Sequence, residues 1–96
     1  ITTDLAGFGL WANSVKGSNC SIEDGVEVIH RTDYNYSEVA DAIKDTVVKF
    51  ASFDDVQVKR SRSNADKLSK KALWSKFITY YEDAYDFALR KAELRK

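Results

Sequence analysis

One cysteine, one histidine and no net charge narrow the chemistry open to this 96-residue chain. Cys20 has no second thiol with which to form an internal disulfide, and with His30 as the sole histidine the sequence has no zinc-ligand spacing. No metal and no other cofactor is expected, and a cytoplasmic protein is the default expectation for such cysteine usage. Lys plus Arg and Asp plus Glu both number 15, so the chain as a whole has no electrostatic attraction for nucleic acid or anionic lipid. No apolar run approaches the ~18–20 residues that span a bilayer, and no charged segment leading into an apolar one marks a signal peptide. There is no internal repeat, no low-complexity tract and no initiating methionine.

What is present is the composition of a folding chain, with 44% hydrophobic and 31% charged residues. At this length it is one domain or part of one. Ile1, Thr2 and Thr3 are β-branched and read as the tail of a strand whose start is missing. Gly7-Phe8-Gly9 is expected to turn the chain tightly, after which Leu10, Trp11 and Val15 supply the apolar face of a helix of two or three turns. The small polar residues from Lys16 to Asp24 predict a surface loop. Val26 to Arg31, opened by Gly25, predicts a second strand.

Two helical stretches follow. Asn35 with Glu38 has the pattern of a capping box, and Tyr36, Val39, Ala40, Ile43, Val47 and Phe50 recur at steps of three and four, predicting an amphipathic helix laid on a sheet. Strands alternating with helices predict parallel α/β construction. Ser63 and Asp66 form a second capping signature before a short helix with Leu68 and Ala72 inward and Lys67, Lys70 and Lys71 outward. From Trp74 through Phe77, Ile78, Tyr81, Tyr85, Ala88 and Leu89 to Ala92, a final long helix presents an aromatic stripe that demands burial. Arg90, Lys91, Arg95 and Lys96 complement the negative pole of its dipole. Two strands offer too little sheet for so much apolar helix surface, which predicts further protein.

Thr2-Thr3-Asp4-Leu5-Ala6-Gly7-Phe8-Gly9 resembles the Ser/Thr-Thr-Asn-Leu-Ser-Gly-Phe-Gly stretch of eukaryotic-type glycogen synthases, the family 3 glycosyltransferases. The order that follows in that family is a variable loop, a strand ending in a basic residue, an amphipathic helix, an arginine-rich helix and a Leu-Ser…Trp segment. It is matched here by Gly25 to Arg31, Tyr36 to Phe53, Lys59 to Asn64, and Leu68-Ser69 with Trp74, then Tyr80-Tyr81 and Ala84 to Ala88. The likeness covers almost the whole chain. It implies that residues 1–96 are the C-terminal fragment of the Rossmann-like, nucleotide-sugar-binding domain of a glycosyltransferase of the B type (GT-B), with two parallel strands, packed helices and a long C-terminal helix. The parent enzyme would be a retaining transferase of glycogen biosynthesis, moving glucose from UDP-glucose or ADP-glucose to the nonreducing end of an α-1,4-glucan.

In that family a Glu-x7-Glu loop precedes the octapeptide. No catalytic residue is therefore expected among these 96, and the isolated chain is expected to be inactive. The resemblance and the sheet-edge position together make Thr3, Asp4, Gly7 and Gly9 candidate substrate-binding residues, because helix N-termini at the C-terminal edge of a parallel sheet face ligand phosphates. The competing reading is that the glycines only permit the turn. Members regulated by glucose 6-phosphate carry paired arginines where this chain runs Asp54 to Arg62. Most are replaced, so that switch is not expected, and Lys59, Arg60 and Arg62 remain as a candidate anion or allosteric site.

Against these stand plainer readings. Lys59, Arg60, Arg62, Lys67, Lys70 and Lys71 also look like a solvated helix face, and a nucleic-acid module would need aromatic residues interleaved among them. His30 has no Ser, Cys or Asp constellation in sequence and is expected to pack or hydrogen bond, while Cys20 is expected to be an incidental thiol in a polar loop. The alternative from another functional class is a small helical interaction module that binds a partner through the Trp74 to Leu89 face. In the enzyme reading, that face packs on the remainder of the parent enzyme.

Overall fold

The computed structural model describes residues 1–95, which are mostly helical. Strand β1 (Thr2–Thr3) leads through a turn at residues 4–6 into helix α1 (Gly7–Lys16). A single 3-10 turn (Ile22–Asp24) precedes strand β2 (Val28–Ile29). Three helices follow: α2 (Tyr36–Ala51), α3 (Asp55–Lys71) and α4 (Trp74–Leu94). β1 and β2 run parallel, with Thr2 opposite Val28 and Thr3 opposite Ile29. The ladder is closed at its ends by Thr2 N donating to Glu27 O at 2.9 Å and Asp4 N donating to Ile29 O at 3.0 Å.

The core lies where α1 crosses this pair. Ala12 is wholly buried, Cys20, Val26 and Val28 pack around it, and Trp11 and Leu68 cover the cluster. Gly9 makes the crossing possible: a Cβ built there would lie 1.9 Å from Thr3 O. The expected Gly7-Phe8-Gly9 turn is therefore corrected. The chain turns at residues 4–6, all three residues belong to α1, and Gly9 serves close helix-on-strand packing.

Several local expectations give way to tertiary constraints. The loop from Lys16 to Asp24 is not a plain surface segment. Cys20 is buried, its thiol donating to Ala12 O at 3.3 Å, and α3 grips the 3-10 turn through Ser61 Oγ donating to Ile22 O at 2.6 Å and Asn64 Nδ2 donating to Glu23 O at 2.9 Å. Gly25 adopts φ +92° with Ala65 N 2.3 Å from any added Cβ, so loop and helix touch backbone to backbone.

α3 does not begin at Ser63. It starts eight residues earlier, where Asp54 accepts from Gln57 N at 2.8 Å and Gln57 Oε1 accepts from Asp54 N at 3.0 Å, a reciprocal box that outranks the later signature. Asn35 flanks α2 without capping it, because its side chain is engaged by Thr32 N and His30 O instead. The second strand is two residues long rather than six.

The two predicted apolar faces are not buried. In α2 only Thr46 is buried, and Ile43, Val47 and Phe50 stay exposed rather than lying on the sheet. From Thr79 to the end of α4 at Leu94, and at Arg95 beyond it, every residue is exposed. The surface measures 7452 Å², about 1,900 Å² more than a compact monomer of this mass presents. The radius of gyration is 18.0 Å, against about 12–13 Å for a compact domain of this length. Among the described residues the helices outrun the sheet available to cover them, as the composition anticipated.

The glycine geometry gives a direct test. Gly9→Ala is expected to abolish or severely weaken folding, by roughly 3 kcal/mol or more, since backbone must move to admit the methyl group. Gly7→Ala, with nothing within 4 Å of its added Cβ, should be neutral or stabilising by up to about 1 kcal/mol. Urea titrations of the two variants followed by circular dichroism measure the contrast, and equal midpoints would refute this account of the crossing.

Candidate functional site

The C-terminal edge of the parallel pair carries a polar cluster that ties the ends of both strands together. Asp4 leaves β1 and reaches across to the residues that follow β2. Its Oδ2 lies 2.7 Å from His30 Nδ1, and its Oδ1 accepts from Arg31 N at 2.8 Å. Asn35 braces the same loop from the other side, donating to His30 O at 2.8 Å and accepting from Thr32 N at 2.7 Å. The hydrogen bond to His30, then that from the Arg31 amide, holds the Asp4 carboxyl below its ordinary value. Both carboxylate oxygens are thus engaged within the chain, and Asp4 acts as a clasp between the two strand ends.

Next to this clasp, α1 begins without a capping side chain at Ala6 and without an acidic residue in its first turn. Its leading amides have no intrahelical acceptors, and the dipole places partial positive charge there. Gly7 is exposed and offers its backbone to solvent. Gly9 is buried against β1 and offers only packing. Thr3 is half-buried, and its Oγ1 accepts weakly from Leu5 N at 3.4 Å. The sheet edge thus brings Thr3, Asp4 and Gly7 together, with distinct physical roles.

Arg31, not among the residues expected at this edge, is brought against Asp4 by the fold. Its guanidinium lies 5.8 Å from the centre of the Tyr36 ring, and its Nη1 is covered yet has no hydrogen-bond partner. The signal available in the sequence was a basic residue ending a strand that neighbours β1. Lys59, Arg60 and Arg62 are exposed on α3, around the helix from the docked Ser61, and no hydrogen bond or ion pair joins them to Thr3, Asp4 or α1 among the described residues. His30 bonds to Asp4 and belongs to no nucleophilic constellation. Burial pushes the Cys20 thiol up, which suits an inert packing residue.

An apolar groove of about 330 Å³ opens beside the cluster, lined by Gly7, Phe8, Trp11, Ala72 and Phe77. Trp11 and Phe77 meet edge to face with centroids 5.6 Å apart, the contact that ties the start of α4 to α1. Among the described residues no group of three or more His, Cys, Asp or Glu side chains is arranged to hold a metal, and no helix is long and apolar enough to cross a membrane. Comparison with protein-family models, curated proteins and solved structures finds no match to this chain.

The Asp4 clasp makes stability acid-sensitive in a stated direction. Its folded-state pKa is depressed, so its contribution is present above the ordinary value of 3.8 and is lost as pH falls through the folded value. Asp4→Asn is expected to flatten the fall of the urea midpoint between about pH 5 and pH 2 and to speed hydrogen exchange at the Arg31 amide. An unchanged acid limb together with an unchanged Arg31 amide would remove the clasp.

Proposed function

We propose that this chain is the C-terminal part of the nucleotide-sugar half of a glycogen-synthase-like retaining glycosyltransferase, with a Rossmann-like domain of the GT-B type. The observation that carries the reading is the octapeptide's placement: Thr2-Thr3 runs parallel to Val28-Ile29, and the uncapped start of α1 opens at the C-terminal edge of the pair. Ligands of open parallel sheets bind at that edge, and phosphates favour helix N-termini. In this reading the Gly7 and Phe8 amides face the diphosphate of UDP-glucose or ADP-glucose, while Thr3 and the Asp4 clasp hold the strand end in place. Lys59, Arg60 and Arg62 form a separate, solvated anion site on α3.

The remainder of the parent enzyme supplies the catalytic carboxylates and the α-glucan acceptor site, so the isolated chain is inactive. The same remainder covers surface left open here, including the α2 face around Val47 and Phe50 and the groove at Phe8 and Trp11. Neither nucleic acid nor membrane is a partner in this reading, which places the parent enzyme in the cytoplasm and in glycogen biosynthesis.

A second reading, a helical interaction module working through the Trp74 to Leu89 face, draws on the uninterrupted exposure of α4 from Thr79 onward. The coding sequence upstream of Ile1 separates the two. The enzyme reading requires several hundred further residues containing Glu-x7-Glu, and the joined protein should transfer glucose from UDP-glucose or ADP-glucose to glycogen while residues 1–96 alone do not. A joined protein that folds yet transfers no glucose from either donor would overturn it.

A further inference from the structure

We infer that His30 is a ligand-binding residue, held by Asp4 with its proton on Nδ1 so that Nε2 accepts a hydrogen bond from a hydroxyl of the bound nucleotide sugar. The inference rests on the glycosyltransferase reading and adds to it a binding residue outside the resembling octapeptide. Asp4 is the first residue beyond β1 and His30 the first beyond β2, so their bond spans the C-terminal ends of both strands. α1 begins three residues after Asp4. The imidazole therefore stands at the same sheet edge as the helix start proposed to face the diphosphate. Its side chain is 74% exposed, against 22% for Asp4, so the ring fronts the solvent and the carboxylate backs it.

The bonding fixes which ring nitrogen is free. An ionised carboxylate only accepts hydrogen bonds, so Asp4 Oδ2 at 2.7 Å makes His30 Nδ1 the donor. Asp4 cannot turn away without breaking the bond from Arg31 N to its Oδ1 at 2.8 Å, and Asn35 Nδ2 holds His30 O at 2.8 Å. Side chain and backbone of His30 are thus both anchored. A neutral imidazole with its proton on Nδ1 carries a lone pair on Nε2, and Nε2 has no hydrogen-bond partner among the described residues. A carboxylate behind Nδ1 also makes the opposite nitrogen the stronger base.

That lone pair selects the ligand group. It requires a donor, which fits a hydroxyl and not the acceptor-rich diphosphate, and the charge of Asp4 behind the ring disfavours a second anion there. The α1 amides and His30 therefore divide the ligand: the amides take phosphate oxygens, and the imidazole takes a hydroxyl of the ribose or of the glucose.

Two variants separate binding from bracing. The Asn amide nitrogen falls where His Nδ1 lies and the Gln terminal group where Nε2 lies. His30→Asn therefore keeps a donor to Asp4 and removes the acceptor, whereas His30→Gln keeps an acceptor and removes the bond to Asp4. In the joined upstream-plus-1–96 protein, His30→Asn is expected to raise the KM for the nucleotide-sugar donor about three- to tenfold. The KM for glucan and the urea midpoint should not move, and kcat should fall by less than about twofold. His30→Gln should lower the urea midpoint yet give a donor KM at least about twofold below that of His30→Asn. Inhibition by the free nucleoside diphosphate names the source of the hydroxyl. A Ki raised in His30→Asn as much as the donor KM assigns it to the ribose, and an unchanged Ki assigns it to the glucose. In the 96-residue chain at about pH 8, nitrogen NMR of the His30 ring should show the proton on Nδ1 and none on Nε2.

A donor KM that His30→Asn leaves unmoved overturns the inference, as does a ring proton on Nε2. Equal rises in donor KM for both variants overturn it too, because bracing alone then accounts for the effect. The glycosyltransferase reading fails by a different result, a joined protein that folds with His30 intact and transfers no glucose, and this inference falls with it.

Discussion

The contact between Gly9 and the carbonyl of Thr3 sets the geometry on which the rest depends. Because position 9 has no side chain, α1 can lie directly on β1, and only at that distance do Ala12, Cys20, Val26 and Val28 close into one cluster. The same approach fixes where α1 begins relative to the end of β1. It thereby places the uncapped helix start next to the Asp4 clasp, so packing and the candidate ligand edge share one cause. Gly25 repeats the device on the other side, letting α3 meet the loop before β2 backbone to backbone.

Polar bonds then hold what the small core cannot. Ser61 and Asn64 anchor α3 to carbonyls of the 3-10 turn, and Lys16 pairs with Asp24, which also accepts from Ser21. Burial pushes the Asp24 carboxyl up, yet the bonds from Lys16 and Ser21 outweigh it and leave it below the ordinary value. These bonds concentrate around residues 20–25 and 30–35, the two segments flanking β2. α2 and α4 contribute little to that centre, and their apolar faces stay largely exposed among the described residues.

Much of this was legible in the sequence where periodicity is strong. The helical identity of Tyr36–Ala51 and Trp74–Leu94 follows from apolar steps of three and four, and the parallel strand pair follows from β-branched runs separated by a helical segment. The sheet-edge position of Thr3, Asp4 and Gly7 was legible too. Less legible were choices between equally good local signals. Ser63 with Asp66 looks as much like a helix start as Asp54 with Gln57, and the earlier box prevails because Ser61 must already be helical to reach Ile22 O. Asn35 has the right type for a cap, yet its side chain holds the loop that Asp4 also holds.

Composition and spacing by themselves determined that this chain has more amphipathic helix than strand to cover it, because the alternation of apolar and charged residues is a local property of the chain. They also determined that no internal disulfide and no His/Cys zinc set can form within these 96 residues alone, since one cysteine and one histidine cannot build either. Only the tertiary structure decided that Gly9 packs rather than turns, that Cys20 is core rather than loop, and that Asp4 spends its carboxylate on His30 and Arg31. Those outcomes depend on which segments, far apart in sequence, come within a few ångströms of each other, and no local pattern encodes that distance.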